Sequence, residues 1–77
     1  MSNHTAFPNR EIVDRIKKLY PVGCRVELVE MDDPYSNLIP GECGTVTLVD
    51  DTATVFVKWD CGSSLGIVYG VDRIRKL

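Results

Sequence analysis

Apolar and polar residues alternate one by one through three short segments in the middle of this chain. In residues 55–59, for example, two valines and a tryptophan alternate with phenylalanine and lysine. A period of two residues is typical of a β-strand with one buried and one exposed face. Turns rich in glycine and aspartate separate the segments, so consecutive strands are expected to pair antiparallel. The alternation therefore predicts a mainly β protein.

Five short strands are predicted from these segments and their turns. They are residues 24–30, a second strand that opens at Gly44, residues 53–59, about residues 64–69, and residues 73–76. A flat sheet of this size leaves its edges open, so the sheet is expected to curl. Five strands, a long first loop, two tight hairpins and one turn before the last strand are the plan of an SH3-like barrel. The predicted fold is therefore a small five-stranded SH3-like barrel.

The same alternation predicts which strand residues face the core. Val46, Leu48 and Trp59 belong to the inward set. The alternation places Phe56 on the opposite, outward face, and three valines are assigned to that same face: Val29, Val49 and Val68. Outward apolar side chains need a cover, which either the N-terminal helix or a second copy of the chain supplies. The second alternative predicts a homo-oligomer.

An amphipathic helix is predicted to precede the barrel, at residues 10–20. Asn9 suits the N-cap, and the apolar residues of the segment follow helical spacing. Pro21 is expected to end the helix, because the residue before a proline disfavours helical angles. Residues 1–8 are interpreted as a flexible arm. Residues 9–77 then form a single domain, with the barrel in residues 24–77.

Composition and charge limit the classes of partner and the cellular location that the chain suits. The 77 residues carry a net charge of −2. The segment 25–60 contains two basic and eight acidic residues, whereas segments 10–18 and 72–76 each carry a net +2. The negative middle makes nucleic acid an unlikely partner. No apolar run approaches the about 18 residues of a membrane span. The start of the chain shows no secretion signal, and a cytoplasmic location is expected.

Metal binding, cofactors and catalysis are not expected. The three cysteines, Cys24, Cys43 and Cys61, form no C-x-x-C pair, and a zinc site would need His4 from the arm as its fourth ligand. An intracellular protein rarely holds disulfides. Neither the cysteines nor the serines have a histidine at a suitable spacing for nucleophilic catalysis. The prediction is a protein that is not an enzyme.

The long first loop is the best sequence candidate for a ligand site. In SH3-like barrels this loop, the second-to-third-strand turn and the last turn lie at one end. The expected ligand-binding residues are Asp32, Asp33, Tyr35, Asn37, Asp50, Asp51, Tyr69 and Asp72, with Arg73 and Arg75 as basic groups. Tyrosines beside carboxylates suit a ligand with a flat apolar part and with hydrogen-bond donors or a positive group. The alternative is that the aspartates only stabilise their own turns.

Several segments together resemble one known family. They are 24–28 (CRVEL), 31–35 (MDDPY), Pro40-Gly41 with 44–46 (GTV), and 57–63 (VKWDCGS). The chain resembles the domain of unknown function 4314 from Arg10 to its C-terminus. The resemblance implies a bacterial or phage protein, often carried on prophages and mobile elements. It implies no activity and no catalytic residues.

The leading functional hypothesis is a non-catalytic binding module that acts as a homo-oligomer. In its sharpest form it sequesters a small host molecule of nucleotide type, with Arg73 and Arg75 on the phosphates and a tyrosine stacked on the base. The surplus negative charge of the loops weighs against this form. An alternative is an adaptor that binds a peptide at the acidic loop end. A nucleic-acid-binding module like a KOW domain is a further alternative.

Overall fold

A computed structural model describes residues 9–32 and 38–77 of the chain. The described part contains one helix and five strands: α1 (Arg10–Leu19), β1 (Arg25–Glu30), β2 (Cys43–Val49), β3 (Val55–Trp59), β4 (Gly66–Ile67) and β5 (Arg73–Lys76). All the strands pair antiparallel in one sheet with the order β4-β3-β2-β1-β5. The prediction of a mainly β chain with one N-terminal helix is confirmed, and the architecture is consistent with a small barrel-like fold.

Helix α1 forms for the reasons that its sequence suggests. The Asn9 side chain accepts a hydrogen bond from the backbone N–H of Ile12 at 3.0 Å, which caps the helix. Glu11 lies in the first turn and two lysines lie in the last, so both ends complement the helix dipole. The helix ends at Leu19, one residue before the predicted end, and Tyr20 takes non-helical backbone angles ahead of Pro21.

One apolar cluster fills the inside of the sheet. Its most deeply buried side chains, each less than 2% exposed, are Trp59, Leu28, Val26, Val46 and Val57. The prediction that Trp59 faces inward is confirmed, and its indole N–H donates to the carbonyl oxygen of Leu65 at 3.0 Å. A buried indole N–H needs such a partner, so Trp59 also holds the chain just before β4 in place.

A β-bulge in β2 reverses the alternation that the sequence suggests. Val46 pairs with Val57 and Leu48 pairs with Phe56, so Thr47 is an extra residue on β2. After the bulge, Leu48 is 53% exposed and Val49 is 6% exposed. The predictions that Leu48 faces the core and that Val49 faces outward are therefore wrong. The Thr47 hydroxyl donates to the carbonyl oxygen of Phe56 at 3.2 Å and stabilises the bulge.

Phe56 lies on the outer face of the sheet, as predicted, and is half-buried there. It pairs across the strands with Gly66, and a Cβ added to Gly66 would lie 3.2 Å from the Phe56 ring. The ring therefore packs over a strand glycine, which leaves no side chain of its own to cover the backbone. This contact covers part of Phe56 within one chain. Val29 and Val68 are exposed, as predicted.

Two glycine turns have the predicted geometry. The N–H of Glu42 donates to the carbonyl oxygen of Ile39 at 3.1 Å, and Gly41 has a φ of 101°, as a type II turn requires. Gly62 also takes a φ of 101° in the hairpin between β3 and β4. Strand β4 is shorter than the predicted 64–69. The Val68 N–H donates to the Asp72 carboxylate at 3.1 Å, so it does not extend the hydrogen bonding between β3 and β4.

Candidate functional site

An open groove lies between α1, β5 and the segment that joins β4 to β5. Its volume is about 560 Å³, within the range of ligand sites in proteins. We call it the α1–β5 groove. Its floor and walls are mainly apolar and its rim is mainly polar. The floor residues are Ala53, Val55 and Ile67, the wall residues are Ile16, Tyr20 and Ile74, and the rim residues are Glu30, Tyr69, Gly70, Val71, Asp72 and Arg73.

The groove exists because the sheet has two edges that do not pair with each other. Strands β4 and β5 are the outermost strands of the sheet. Ile16 of α1 and Tyr20, the C-cap residue four positions later, pack against the core beside Ile74 of β5. The helix therefore covers one side of the opening between the edges, and its apolar stripe forms a wall of the groove.

Tyr20 joins the helix to β5. Its hydroxyl donates to the carbonyl oxygen of Ile74 at 3.5 Å, the long limit of a hydrogen bond. Partial burial, and secondly the nearby Cys24, raise the pKa of Tyr20 above its usual value of 10.0. The phenol therefore keeps its proton at neutral pH and acts as a hydrogen-bond donor on the groove wall.

Asp72 holds two parts of the rim together. One of its carboxylate oxygens accepts from the backbone N–H of Asp32 at 2.9 Å, and the other accepts from that of Val68 at 3.1 Å. The N–H of Asp72 donates to the carbonyl oxygen of Val68 at 3.0 Å. The carboxylate thus connects the end of β1 to the turn before β5, and its negative charge lies against two N–H dipoles.

Arg73 and Glu30 face each other loosely across the β1–β5 pair. The guanidinium Nη1 lies 3.9 Å from Glu30 Oε1, and the two side chains are 74% and 63% exposed. An exposed pair at this distance contributes little to stability. Both charged groups therefore remain free to meet a ligand in the groove, together with the half-exposed ring of Tyr69.

Asp50 organises the turn that supplies Ala53 to the groove floor. Its Oδ1 accepts from the Thr52 N–H at 2.9 Å, the Thr52 hydroxyl at 2.6 Å and the Thr54 N–H at 3.1 Å. These bonds, the Thr52 hydroxyl first among them, lower the pKa of Asp50 below 3.8. Ala53 is buried with a φ of 59°, a left-handed conformation that this bonded turn holds in place.

Asp51, next to Asp50, has a different surrounding. Its carboxylate lies 3.5 Å from Lys17 Nζ on α1, and the Asp51 side chain is largely exposed. This contact links the turn between β2 and β3 to the helix beside the groove. The Asp50 carboxylate therefore accepts hydrogen bonds within its own turn, whereas the Asp51 carboxylate is exposed to solvent.

Arg75 lies outside the groove. It is opposite Glu27 in the β1–β5 ladder, and its Nε donates to Glu27 Oε1 at 2.8 Å. A side chain already bound to a neighbouring carboxylate is a poor partner for a ligand phosphate, because the pair must first be broken. Among the predicted residues, the groove contains Tyr69, Asp72 and Arg73.

The remaining predicted residues occupy other places. The Asp32 N–H donates to the Asp72 carboxylate, and Asp32 lines a smaller neighbouring cavity of about 240 Å³. Asp33, Tyr35 and Asn37 lie outside the described residues. The groove walls, Ile16, Tyr20 and Ile74, were not predicted as site residues, because apolar residues at helix or strand spacing indicate packing. Their regular spacing contains no signal that distinguishes a packed face from a groove wall.

The sequence also shows no sign of a two-bond ion pair on the outer face of the sheet. Arg25 donates to the two carboxylate oxygens of Asp60 at 2.8 and 2.6 Å, and also to the hydroxyl of Thr45 at 3.0 Å. This two-bond contact lowers the pKa of Asp60 and raises that of Arg25. The partners are far apart in the sequence, so only the pairing of β1, β2 and β3 reveals the contact.

In residues 9–32 and 38–77, no group of three or more His, Cys, Asp or Glu side chains is arranged to hold a metal ion. The three cysteines are free, and Cys61 is exposed. The chain's one histidine, His4, lies outside the described residues. Over the same described part, no helix has the length and apolar character needed to cross a membrane.

Comparison with known proteins identifies the family. Residues 9–77 match the family described as Domain of unknown function (DUF4314), which covers α1 and all five strands. Comparisons with curated proteins and with solved structures find no match. The matched region is most of the chain and includes the whole α1–β5 groove. The chain therefore belongs to the DUF4314 family.

Proposed function

We propose that this protein is a non-catalytic binding module whose α1–β5 groove accepts an extended peptide segment of another protein. The observation that carries the proposal is an open, apolar groove between two sheet edges that pair with no other described strand, bordered by charged groups. Small barrels commonly bind peptides in such surface grooves. The proposal keeps the adaptor hypothesis and moves its site from the acidic loop to the groove.

The floor, the walls and the rim suit a peptide in different ways. Ile16, Val55 and Ile67 offer contact to apolar side chains, which supply most of the binding free energy. Glu30 and Arg73 offer one charge of each sign at the rim, which suits the mixed polarity of a peptide. Tyr69 is a large, half-exposed side chain of the type that is enriched at binding interfaces.

The charges support a nucleotide ligand less well. Arg75 is bound to Glu27, and Arg73 has Glu30 beside it. Asp72 adds a further carboxylate at the rim. A phosphate in the groove would therefore meet these negative groups as well as one loosely held arginine. A thermal-shift panel of nucleotides tests the alternative of nucleotide sequestration.

Three further parts of the proposal come from the sequence. We propose a cytoplasmic protein of phage or mobile-element type, as the family resemblance implies, which acts as a homo-oligomer. The exposed apolar side chains outside the groove, such as Leu48 and Ile39, support association of copies. Sedimentation equilibrium measures the number of subunits. A monomer at all concentrations would contradict association but would leave peptide binding intact.

Selection from a displayed library of random nine-residue peptides tests the proposed function. Enriched peptides are expected to bind the wild-type protein, and Tyr69→Ala is expected to weaken binding about tenfold, as loss of an interface aromatic does. Leu19→Ala is the matched control, because Leu19 has the same exposed fraction as Tyr69, 47%, and lies on α1 outside the groove lining. Failure to enrich any peptide, or equal losses in both variants, would contradict a peptide site in the groove.

A further inference from the structure

We infer that the partner segment binds by adding as a strand to the free edge of β5, and that it alternates apolar with acidic residues. This inference rests on the proposed function of the α1–β5 groove and specifies its partner. Adding a strand to an open sheet edge gives affinity through backbone hydrogen bonds and specificity through alternate side chains.

The backbone of Ile74 faces away from β1. Ile74 is opposite Leu28 in the β1–β5 pair. The Leu28 N–H donates to the Glu42 carbonyl oxygen at 2.8 Å, and its own carbonyl accepts from the Gly41 N–H at 2.8 Å. Since both polar groups of a strand residue point to the same side, Leu28 bonds toward β2. Ile74 therefore makes no backbone hydrogen bond to β1, and its N–H and carbonyl groups point to the open edge of the sheet.

The N–H and carbonyl groups of Lys76 point to the same side as those of Ile74. The Leu77 N–H donates to the Arg25 carbonyl oxygen at 3.0 Å, so residue 77 bonds toward β1. Because the direction alternates along a strand, Arg75 shares that side and Lys76 shares the side of Ile74. This edge, which pairs with no other described strand, thus offers two N–H groups and two carbonyl groups in the spacing of an antiparallel partner, and the Ile74 carbonyl oxygen also accepts from the Tyr20 hydroxyl.

The edge and the groove are continuous. Ile74 lines the groove, as does the whole chain from Tyr69 to Arg73 that leads into β5. A strand paired with Ile74 would therefore place every second side chain against Ile16 and the apolar floor. The Tyr20 hydroxyl uses one lone pair of the Ile74 carbonyl oxygen, which leaves the other for a peptide N–H.

The charges of β5 decide between two kinds of partner strand. Three of its four residues are basic: Arg73, Arg75 and Lys76. A second copy of β5 paired antiparallel at this edge would bring like charges close together, which destabilises a strand pair. An acidic segment would instead gain opposite-charge pairs. Arg73 and Arg75 lie on the face of β5 opposite Ile74, so the acidic side chains of a segment whose apolar side chains enter the groove would lie beside these two arginines and outside the groove. Arg73 is held only loosely, at 3.9 Å from Glu30.

Two synthetic eight-residue peptides test the inference: one alternates glutamate with valine, and its control alternates lysine with valine. Binding to the isotope-labelled protein is followed by NMR titration and by amide hydrogen exchange. The glutamate peptide is expected to bind at least about tenfold more tightly than the lysine peptide. On binding, it should slow exchange at the Ile74 and Lys76 amides.

Paired variants of one residue isolate the backbone contact. Lys76→Pro removes an edge N–H that β1 does not use, whereas Lys76→Ala keeps that N–H and removes the charge. We expect Lys76→Pro to bind the glutamate peptide about tenfold more weakly than Lys76→Ala does. If Lys76→Pro does not fold, the exchange rates of the wild-type amides decide the question.

The outcomes separate this inference from the proposed function. Binding that shifts the Ile16 and Tyr69 resonances but protects neither edge amide would overturn strand addition and leave the peptide groove standing. Equal affinity for the two peptides would overturn the acidic partner. If neither of these peptides nor any library peptide perturbs the groove resonances, the proposed function fails and the inference fails with it.

Discussion

Replacing Gly44 by alanine should destabilise the protein through one added methyl group. Gly44 is buried in β2, between Val26 on β1 and Trp59 on β3. A Cβ at this position would lie 2.6 Å from Val57 Cγ1, 2.8 Å from the Lys58 carbonyl oxygen and 2.9 Å from Trp59 Cα. Two of these three atoms belong to the backbone of β3, so a side-chain rotation cannot relieve the overlap.

The size of the effect follows from two opposing terms. Forcing an extra methyl group into a packed interior costs about 1–3 kcal/mol, and the backbone contacts place Gly44→Ala toward the upper end. Alanine loses less backbone entropy on folding than glycine does, and this difference offsets about 0.5–1 kcal/mol of the packing cost. The expected net loss is about 2 kcal/mol, or a fall of about 10 °C in Tm for a domain of this size.

Thermal and urea unfolding, followed by the fluorescence of Trp59, measure the loss. The matched control is Gly66→Ala in β4, where the nearest atom is a side-chain methyl of Thr54 at 2.8 Å. A side chain can shift more easily than a strand backbone, so the control should lose less. Equal stability of Gly44→Ala and wild type would refute the close approach of β2 and β3. Full rescue by Val57→Ala would show that the clash lies with the side chain instead.

Three further predictions concern single residues. Because the pKa of Asp50 is lowered in the folded state, the stability that its carboxylate contributes is present above pH 3.8 and is lost as the pH falls through the folded value. Tm should therefore drop more between about pH 5 and pH 2 in wild type than in Asp50→Asn. Parallel curves of Tm against pH for the two proteins would contradict this. Trp59→Phe should cost about 2 kcal/mol in urea unfolding, since it opens a cavity and leaves the Leu65 carbonyl unpaired; an unchanged midpoint would argue against the indole bond. Asp72→Ala should speed amide exchange at Asp32 about tenfold while the strands stay protected, and unchanged exchange there would show that the carboxylate does not hold the rim.

Local signals in the sequence predicted most of the fold. The helix boundary depended on Asn9 and Pro21, and the type II turn depended on Gly41; such effects act within a few residues. Alternation correctly predicted that Trp59 is buried, but it failed for Leu48 and Val49. The bulge at Thr47 inserts one residue without a partner, and no residue type in β2 marks its position.

The candidate site depended more on tertiary structure. Tyr69 and Asp72 were predicted because the last turn was expected to lie with the long first loop at one end of the barrel, and Arg73 was predicted as a basic group for phosphates; the structure places all three at the groove rim. The pairing of Arg75 with Glu27 appears only when β5 is placed beside β1. That pairing reduces the support for a phosphate site that was based on positive charge alone.

The sequence by itself determined the secondary structure, the core tryptophan and the family, because strand alternation, helix caps and turn residues are encoded in neighbouring positions. Only the tertiary structure decided where an open groove lies and which charges are free to meet a ligand. Both depend on which strand edges remain unpaired and on contacts between distant residues, and neither is recorded in the order of residues along a single strand.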